Sequence, residues 1–226
     1  GSANVFIGKN AGDKGTGCAN TVVIGAGAAR GVMSGANTIV GAEAGPSSVA
    51  AYQVIIGHQA GFTNNHANNR NSIAIGFRAA YTSDPEASNS YGNLVIGSYA
   101  GYLLTTGYAN CLVGGNSSGG GNSAGYSLNT AVGSSFFGAG AGSTVTSGSN
   151  NTVIGGYDGN EDGLDIRTTD SNIVLSDGIG YARGYFFNTN LQWVFRGAKS
   201  GHYATQIWNT VSSASPYGLN IDFTAS

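Results

Sequence analysis

One phrase recurs along this chain and limits what it can fold into. An Asn or a polar stand-in is followed by a few β-branched or apolar residues, a Gly, two variable residues, then Ala and a small residue. It reads NVFIGKNAG from Asn4, NTVVIGAGAA from Asn20, NTIVGAEAG from Asn37, QVIIGHQAG from Gln53 and NSIAIGFRAA from Asn71. It continues as NLVIGSYAG from Asn93, NCLVGGNSSG from Asn110, NTAVGSS from Asn129 and NTVIGGYDG from Asn151. The repeat glycines are Gly8, Gly25, Gly41, Gly57, Gly76, Gly97, Gly114, Gly133 and Gly155, spaced by 17, 16, 16, 19, 21, 17, 19 and 22 residues. Self-similarity at this period marks a chain that stacks like units.

Each unit holds one apolar run, too short for a helix and rich in Val and Ile, which predicts a short strand. The closing Gly suits a corner with positive φ or a close backbone neighbour. The Ala three residues later suits a crowded interior. The Asn before each strand can bond its own backbone or stack on its equivalents in adjacent rungs. Between these points lie turn-rich segments of variable length, expected as outward loops. In the units at Asn110 and Asn129 the Ala after the Gly is lost. The fold class that follows is all-β, a repetitive β-solenoid or β-roll.

Composition agrees and excludes other classes. Gly contributes 39 of 226 residues, against about 7% on average, while charged residues are 9% and apolar ones 41%. Three prolines and no G-X-Y period exclude collagen, and the supply of β-branched and aromatic residues argues against disorder. A net charge of −2 without a basic cluster offers no footprint for nucleic acid. No run of 18 apolar residues is present, so no membrane insertion is expected. Cys18 and Cys111 lie in similar places of distant units and read as free thiols. Gly1-Ser2 reads as an expression remnant and is set aside.

Only one short strand and one Ala per unit are dependably apolar. A lone coil would bury under roughly 300 Å², about 7 kcal/mol, against an ordering cost of about 1–2 kcal/mol per residue. An intertwined parallel homotrimer, pooling the apolar stripes of three chains, is therefore expected.

The units NTVVIGAGAA, NTIVGAEAG and NTVIGGYDG resemble the repeats of phage tail fibres, and more distantly the β-roll heads of trimeric autotransporter adhesins. GLDIRTTDSNIVLSDGIG, from Gly163 to Gly180, resembles the transition between repeats and tip in tailed-phage fibres, often followed by a chaperone of the endosialidase type. The resemblance implies a receptor-binding fibre on the virion, distal on the tail and extracellular. Its partners would be copies of itself and a bacterial surface glycan or outer-membrane protein, and it would be neither enzyme nor cofactor binder. A purely structural shaft and a bacterial surface adhesin are the alternatives.

Three regions are expected: a repetitive shaft over 3–157, an acidic transition loop over 158–171, and an aromatic-rich antiparallel β tip over 172–226. The last region holds 10 of the 23 aromatics. Tyr181, Tyr203, Trp208 and Tyr217 sit beside turn residues and are the candidate receptor contacts, since exposed Tyr and Trp stack on sugars and anchor protein contacts. Trp193 and Phe195 alternate within a strand and are expected in the core. Repeat-loop aromatics such as Tyr81, Tyr91, Tyr102 and Tyr108 offer a second, lateral face.

Other motifs give weaker readings. TVVIGAGAARG, Thr21 to Gly31, imitates a dinucleotide-binding turn, but Arg30 stands at its sixth position and no helical pattern follows. DGNEDG, from Asp158, matches the first half of a calcium loop, with Asp158, Asn160, Asp162 and Asp165 as candidate ligands. Thr169 replaces the bidentate carboxylate at the twelfth position. His58, His66 and His202 are scattered and read as loop residues. Glycosidase chemistry needs two neighbouring carboxyls; the tip supplies Asp177 and Asp222, the repeats only isolated Glu43, Asp84 and Glu86.

Overall fold

The computed structural model describes residues 3–14, 17–31, 35–46, 51–63, 71–82, 92–116, 121–161, 163–188 and 191–196, and the backbone of 203–208 and 220–221. These residues are all-β, with no helix among them, and form a parallel β-solenoid of about eight turns. Nine short strands carry the coils: β1 (Val5–Ile7), β2 (Val22–Ile24), β3 (Thr38–Val40), β4 (Val54–Ile56), β5 (Ile73–Ile75), β6 (Leu94–Ile96), β7 (Cys111–Val113), β8 (Ser135–Phe137) and β9 (Thr152–Ile154). A two-stranded hairpin follows, β10 (Asn160–Glu161) with β11 (Leu164–Asp165). Then come β12 (Ile173–Ser176), β13 (Ala182–Phe187), β14 (Gln192–Arg196), β15 (Tyr203–Trp208) and β16 (Asn220–Ile221).

Register follows the repeat. Each strand pairs in parallel with the next at the same repeat position, as in Val22↔Thr38, Val23↔Ile39 and Ile24↔Val40. β12 adds a tenth parallel rung on β9, with Val174 opposite Val153. From there the sheet continues antiparallel through β13, β14, β15 and β16.

Because side chains alternate along a strand, the middle residue of each triplet points inward. Val23, Ile39, Ile55, Val95, Leu112, Phe136, Val153 and Val174 are 0–1% exposed. Opposite them stand the small residues after each Gly, Ala28, Ala44, Ala60, Ala79, Ala100, Ala124 and Ala141, all fully buried. Their backbones bond between coils too: the Ala29 N–H donates to the Ala44 carbonyl (3.0 Å) and Gly45 to Ala60 (2.9 Å). The inner stripe is therefore closed within one chain. Pooling it among chains is not what covers it, and the reason is that Ala lets the opposite wall approach closely enough to seal a thin core.

A polar spine runs beside this core. The side-chain oxygen before each strand accepts the backbone N–H at the same position of the next rung: Asn4 from Thr21 (3.0 Å), Asn37 from Gln53 (2.9 Å), Asn93 from Asn110 (3.0 Å), Asn110 from Ser134 (2.9 Å) and Asn151 from Asn172 (2.8 Å). The amide nitrogens donate to loop carbonyls, Asn93 to Gly107 (3.0 Å) and Asn151 to Thr169 (2.7 Å). Buried backbone groups must be paired, and one amide here satisfies two of them in adjacent segments. Asn20 and Asn71 are not in the spine; they occupy the left-handed corner just before it (φ 58° each), with Thr21 and Ser72 in the spine position.

The glycine column explains its own composition. Gly97 has φ +132°, and a Cβ there would lie 2.7 Å from the Gly114 carbonyl carbon. Only Gly allows both that backbone and that approach. Eight of the nine glycines named from the repeat stand in this column, whereas Gly133 does not. Gly133 (φ 69°) is the corner before Ser134, and the eighth member is Gly138 (φ 134°). The Ala expected to be lost after Gly114 is delayed by an insertion: the Ala124 N–H donates to the Gly114 carbonyl (2.9 Å), and Gly101 donates to Ala124 (2.9 Å).

Candidate functional site

The same alternation that buries the middle residues of β2 to β9 turns their two neighbours outward. One outer column runs Val5, Val22, Thr38, Val54, Ile73, Leu94, Cys111, Ser135, Thr152 and Ile173. The other runs Ile7, Ile24, Val40, Ile56, Ile75, Ile96, Val113, Phe137, Ile154 and Leu175, without a polar member. Ile7, Ile24, Phe137, Ile154 and Leu175 are 36–56% exposed. At a strand spacing of about 4.8 Å, ten rungs make a stripe about 43 Å long.

Antiparallel register extends the stripe, because Phe186 pairs with Ile173 and Trp193 with Phe186. Val194 points inward at 6% exposure, while Trp193 and Phe195 are 36% and 39% exposed on the outer face. Alternation alone predicts both aromatics in the core; the register on β12 assigns them the opposite face.

A second surface is built from the residues five after Gly57, Gly76 and Gly97, joined by Tyr126, which the insertion places twelve after Gly114. Phe62, Tyr81, Tyr102 and Tyr126 form a ladder with ring centroids 5.0, 4.9 and 5.2 Å apart and planes within 12° of parallel. Beside it His58 stacks on Phe77 (5.5 Å), and Phe77 meets Tyr99 edge-on. The Arg78 guanidinium lies over both Phe77 (5.2 Å) and Tyr81 (5.4 Å). Its Nε donates to Gln59, whose amide donates to Glu43, at 2.7 Å each. Desolvation raises the Tyr102 hydroxyl above its ordinary pKa, against the pull of Arg78. The rings spend their faces on each other, so this wall offers ring edges and hydroxyls rather than open platforms for a sugar. Tyr108 is half-buried, and Tyr91 lies outside the described residues.

The candidate contacts of the tip are not brought together on what is described. Tyr181 is half-buried under the Arg183 guanidinium (5.6 Å), and its N–H donates to Asp177 (3.0 Å). Tyr203 and Trp208 mark the two ends of β15, with side chains outside the described residues, as is all of Tyr217. Partial desolvation pushes the Asp177 carboxyl up, but Arg183 and the N–H groups of Tyr181 and Ile179 hold it below the usual carboxylate value. Asp177 is thus occupied in a turn, and Asp222 lies outside the described residues.

Of the calcium-like set, Asp158 accepts the Asn160 N–H (2.8 Å), and Asn160 sits exposed in β10 opposite Asp165. Asp165 is bound through both oxygens by Arg167 (3.0 and 2.7 Å), which holds its carboxyl below the ordinary value. Asp162, His66 and His202 lie outside the described residues. Among those described, no three His, Cys, Asp or Glu side chains gather as a metal set. The dinucleotide-like Gly25 and Gly27 are coil corners (φ 139° and 67°), with Gly25 packed on Gly41. Cys18 is buried, Cys111 half-buried, and neither is in a disulfide.

The outer stripe is what residue-by-residue reading missed. Its signal was present: the residue directly before each repeat Gly is apolar in every unit, and the one two places earlier is apolar in most of them. Neither a protein-family model, nor a curated protein, nor a solved structure matches this chain.

Proposed function

We propose that this chain is a segment of a trimeric fibre, of the phage tail-fibre type, that attaches a virion to a bacterial surface. Three parallel copies would pack their outer stripes around a common axis, with the aromatic-rich sheet at one end. The supporting observation is the uninterrupted apolar column from Ile7 to Leu175 on the outside of a coil that already has its own core. An exposed apolar strip of that length on a monomer marks an interaction surface. Identical in-register strips suit identical partners, and stacking three chains side by side produces a stiff rod.

The partner in this reading is a cell-surface glycan or outer-membrane protein, held without covalent chemistry and reinforced by three copies through avidity. The test is attachment of the fluorescently labelled full chain to a panel of intact bacteria, together with a glycan array. Saturable attachment to some strains supports the reading. Absence of attachment throughout, with a trimer intact, would leave the chain a purely structural shaft.

A further inference from the structure

A hollow opens among the described residues of the later coils. In the coils of β3 to β6 the second residue after the Gly carries a long side chain, Glu43, Gln59, Arg78 and Tyr99, and these fill the lateral wall. In the last coils the same position passes through Asn116, Gly140, Tyr157, which turns fully inward, and Gly178. Where the wall loses its side chains a cavity of about 300 Å³ opens, spanning the turns after β7, β8, β9 and β12. That is the lower end of the range for small-molecule sites.

Its lining has a definite chemistry. Asp158 and Glu161 bring carboxylates, Asn116 and Asn122 bring amides, and no Lys or Arg contributes among the described residues. One Asp158 oxygen is committed to the Asn160 N–H. At the wall lies Ser143, 1% exposed, whose hydroxyl has no hydrogen-bond partner. A buried hydroxyl left unpaired costs about 1–3 kcal/mol, and native proteins keep few of them. At the rim Ile179 is 80% exposed and offers an apolar contact.

These features select a ligand class. The two carboxylates repel phosphate and acidic groups. The polar lining disfavours a purely apolar guest. A bare calcium ion needs six to eight oxygens at about 2.3–2.6 Å, whereas this cavity has room for roughly ten waters at about 30 Å³ each. A neutral ring bearing several hydroxyls fits all of it: hydroxyls donate to the carboxylates, exchange hydrogen bonds with the amides, and partner Ser143, while the C–H face rests on Ile179. We propose that this cavity binds a single neutral sugar residue of a glycan. The proposal deepens the adhesive reading and rests on it for its biological setting.

The test uses the full chain with the methyl glycosides of glucose, galactose, mannose and N-acetylglucosamine as probes, read by saturation-transfer NMR and calorimetry. Calcium chloride is titrated separately. At least one glycoside should bind, and Glu161→Gln and Ser143→Ala should each weaken it about tenfold. Gly178→Arg should abolish it without altering the melting temperature, because Gly178 lies outside the left-handed region and a Cβ there meets nothing within 4 Å. Binding by none of the four probes overturns the proposal, as does binding unaffected by Gly178→Arg. So does calcium binding that Glu161→Gln removes while every glycoside stays silent. Whole-cell attachment of the unaltered chain, run in parallel, separates the two readings. Attachment without sugar binding sinks only the cavity, whereas sugar binding without attachment sinks only the adhesive role.

Discussion

Asn110 gives the sharpest test of how the coils are held in register. It is 2% exposed; its oxygen accepts the Ser134 N–H (2.9 Å) and its nitrogen donates to the Ala131 carbonyl (2.8 Å). Ser134 and Ala131 are themselves fully buried. Asn110→Leu keeps the volume and orphans both backbone groups, each worth about 1–3 kcal/mol. Part of that is offset by the added apolar surface, so a net loss of about 2–4 kcal/mol is expected. Asn110→Asp keeps the acceptor for Ser134 but sets an oxygen against the Ala131 carbonyl. The neutral acid can donate there and the carboxylate cannot, so the folded-state pKa is raised above the unfolded value near 3.9. Its stability is then fully present below about pH 4 and is lost as pH rises through the higher folded value. Urea melts of both variants across pH 3–8, with amide exchange at Ser134, would read this. Asn110→Leu should be insensitive to pH and Asn110→Asp should not. Equal stability of Asn110→Leu and the parent, or a pH-flat Asn110→Asp, would refute the spine.

Three other outcomes follow from the same geometry. Gly97→Ala should destabilise by about 3 kcal/mol or more, since its φ is +132° and a Cβ would press on Gly114 and Gly115; a urea midpoint close to the parent's would contradict this. Asp177→Asn should remove an acid-sensitive contribution at the Asp177–Arg183 turn. The depressed Asp177 pKa means that contribution is present above about pH 4 and disappears as pH falls through the folded value, so exchange of the Ile179 and Tyr181 amides should accelerate on acidification only in the parent. Cys111, whose thiol is raised by burial, should react with iodoacetamide several-fold more slowly at pH 7.5 than free cysteine. Its place in the outer column between Leu94 and Ser135 predicts further protection in an assembly; equal rates in assembled and dissociated chains would argue against that packing.

The parallel rungs were legible because three needs coincide in each unit: a spine residue, an inward aliphatic and a corner Gly. Legibility failed where physics accepted a substitute letter. Ser134 does the work of Asn, its hydroxyl accepting the Asn151 N–H (3.3 Å). Phe136 replaces the small aliphatic of the core, so the eighth rung hid behind the look-alike NTAVG. Ser176 stands where a Gly is expected in the tenth rung, its hydroxyl accepting the Tyr157 N–H (2.9 Å). The inward and outward sense of Trp193 and Phe195 depends on long-range register, which alternation does not carry. The cavity was unreadable for a related reason: its lining comes from four turns that are separated in sequence and brought together by stacking.

The central claim is that the outer stripe is a homotypic interface, and native mass tests it most directly. Each half-exposed apolar side chain in the unbroken column contributes about 1 kcal/mol on burial, so the three stripes together supply about 30 kcal/mol against about 8–30 kcal/mol for the two docking steps that build a trimer. Light scattering of the parent should give three times 22.7 kDa, about 68 kDa. Ile75 and Ile96 are paired neighbours at mid-stripe, and changing both to Lys would bury six ammonium groups per trimer at several kcal/mol each. That double variant should run at one chain mass with its circular dichroism unchanged. A parent at 22.7 kDa, or a double variant that keeps the full trimer mass, would contradict the account.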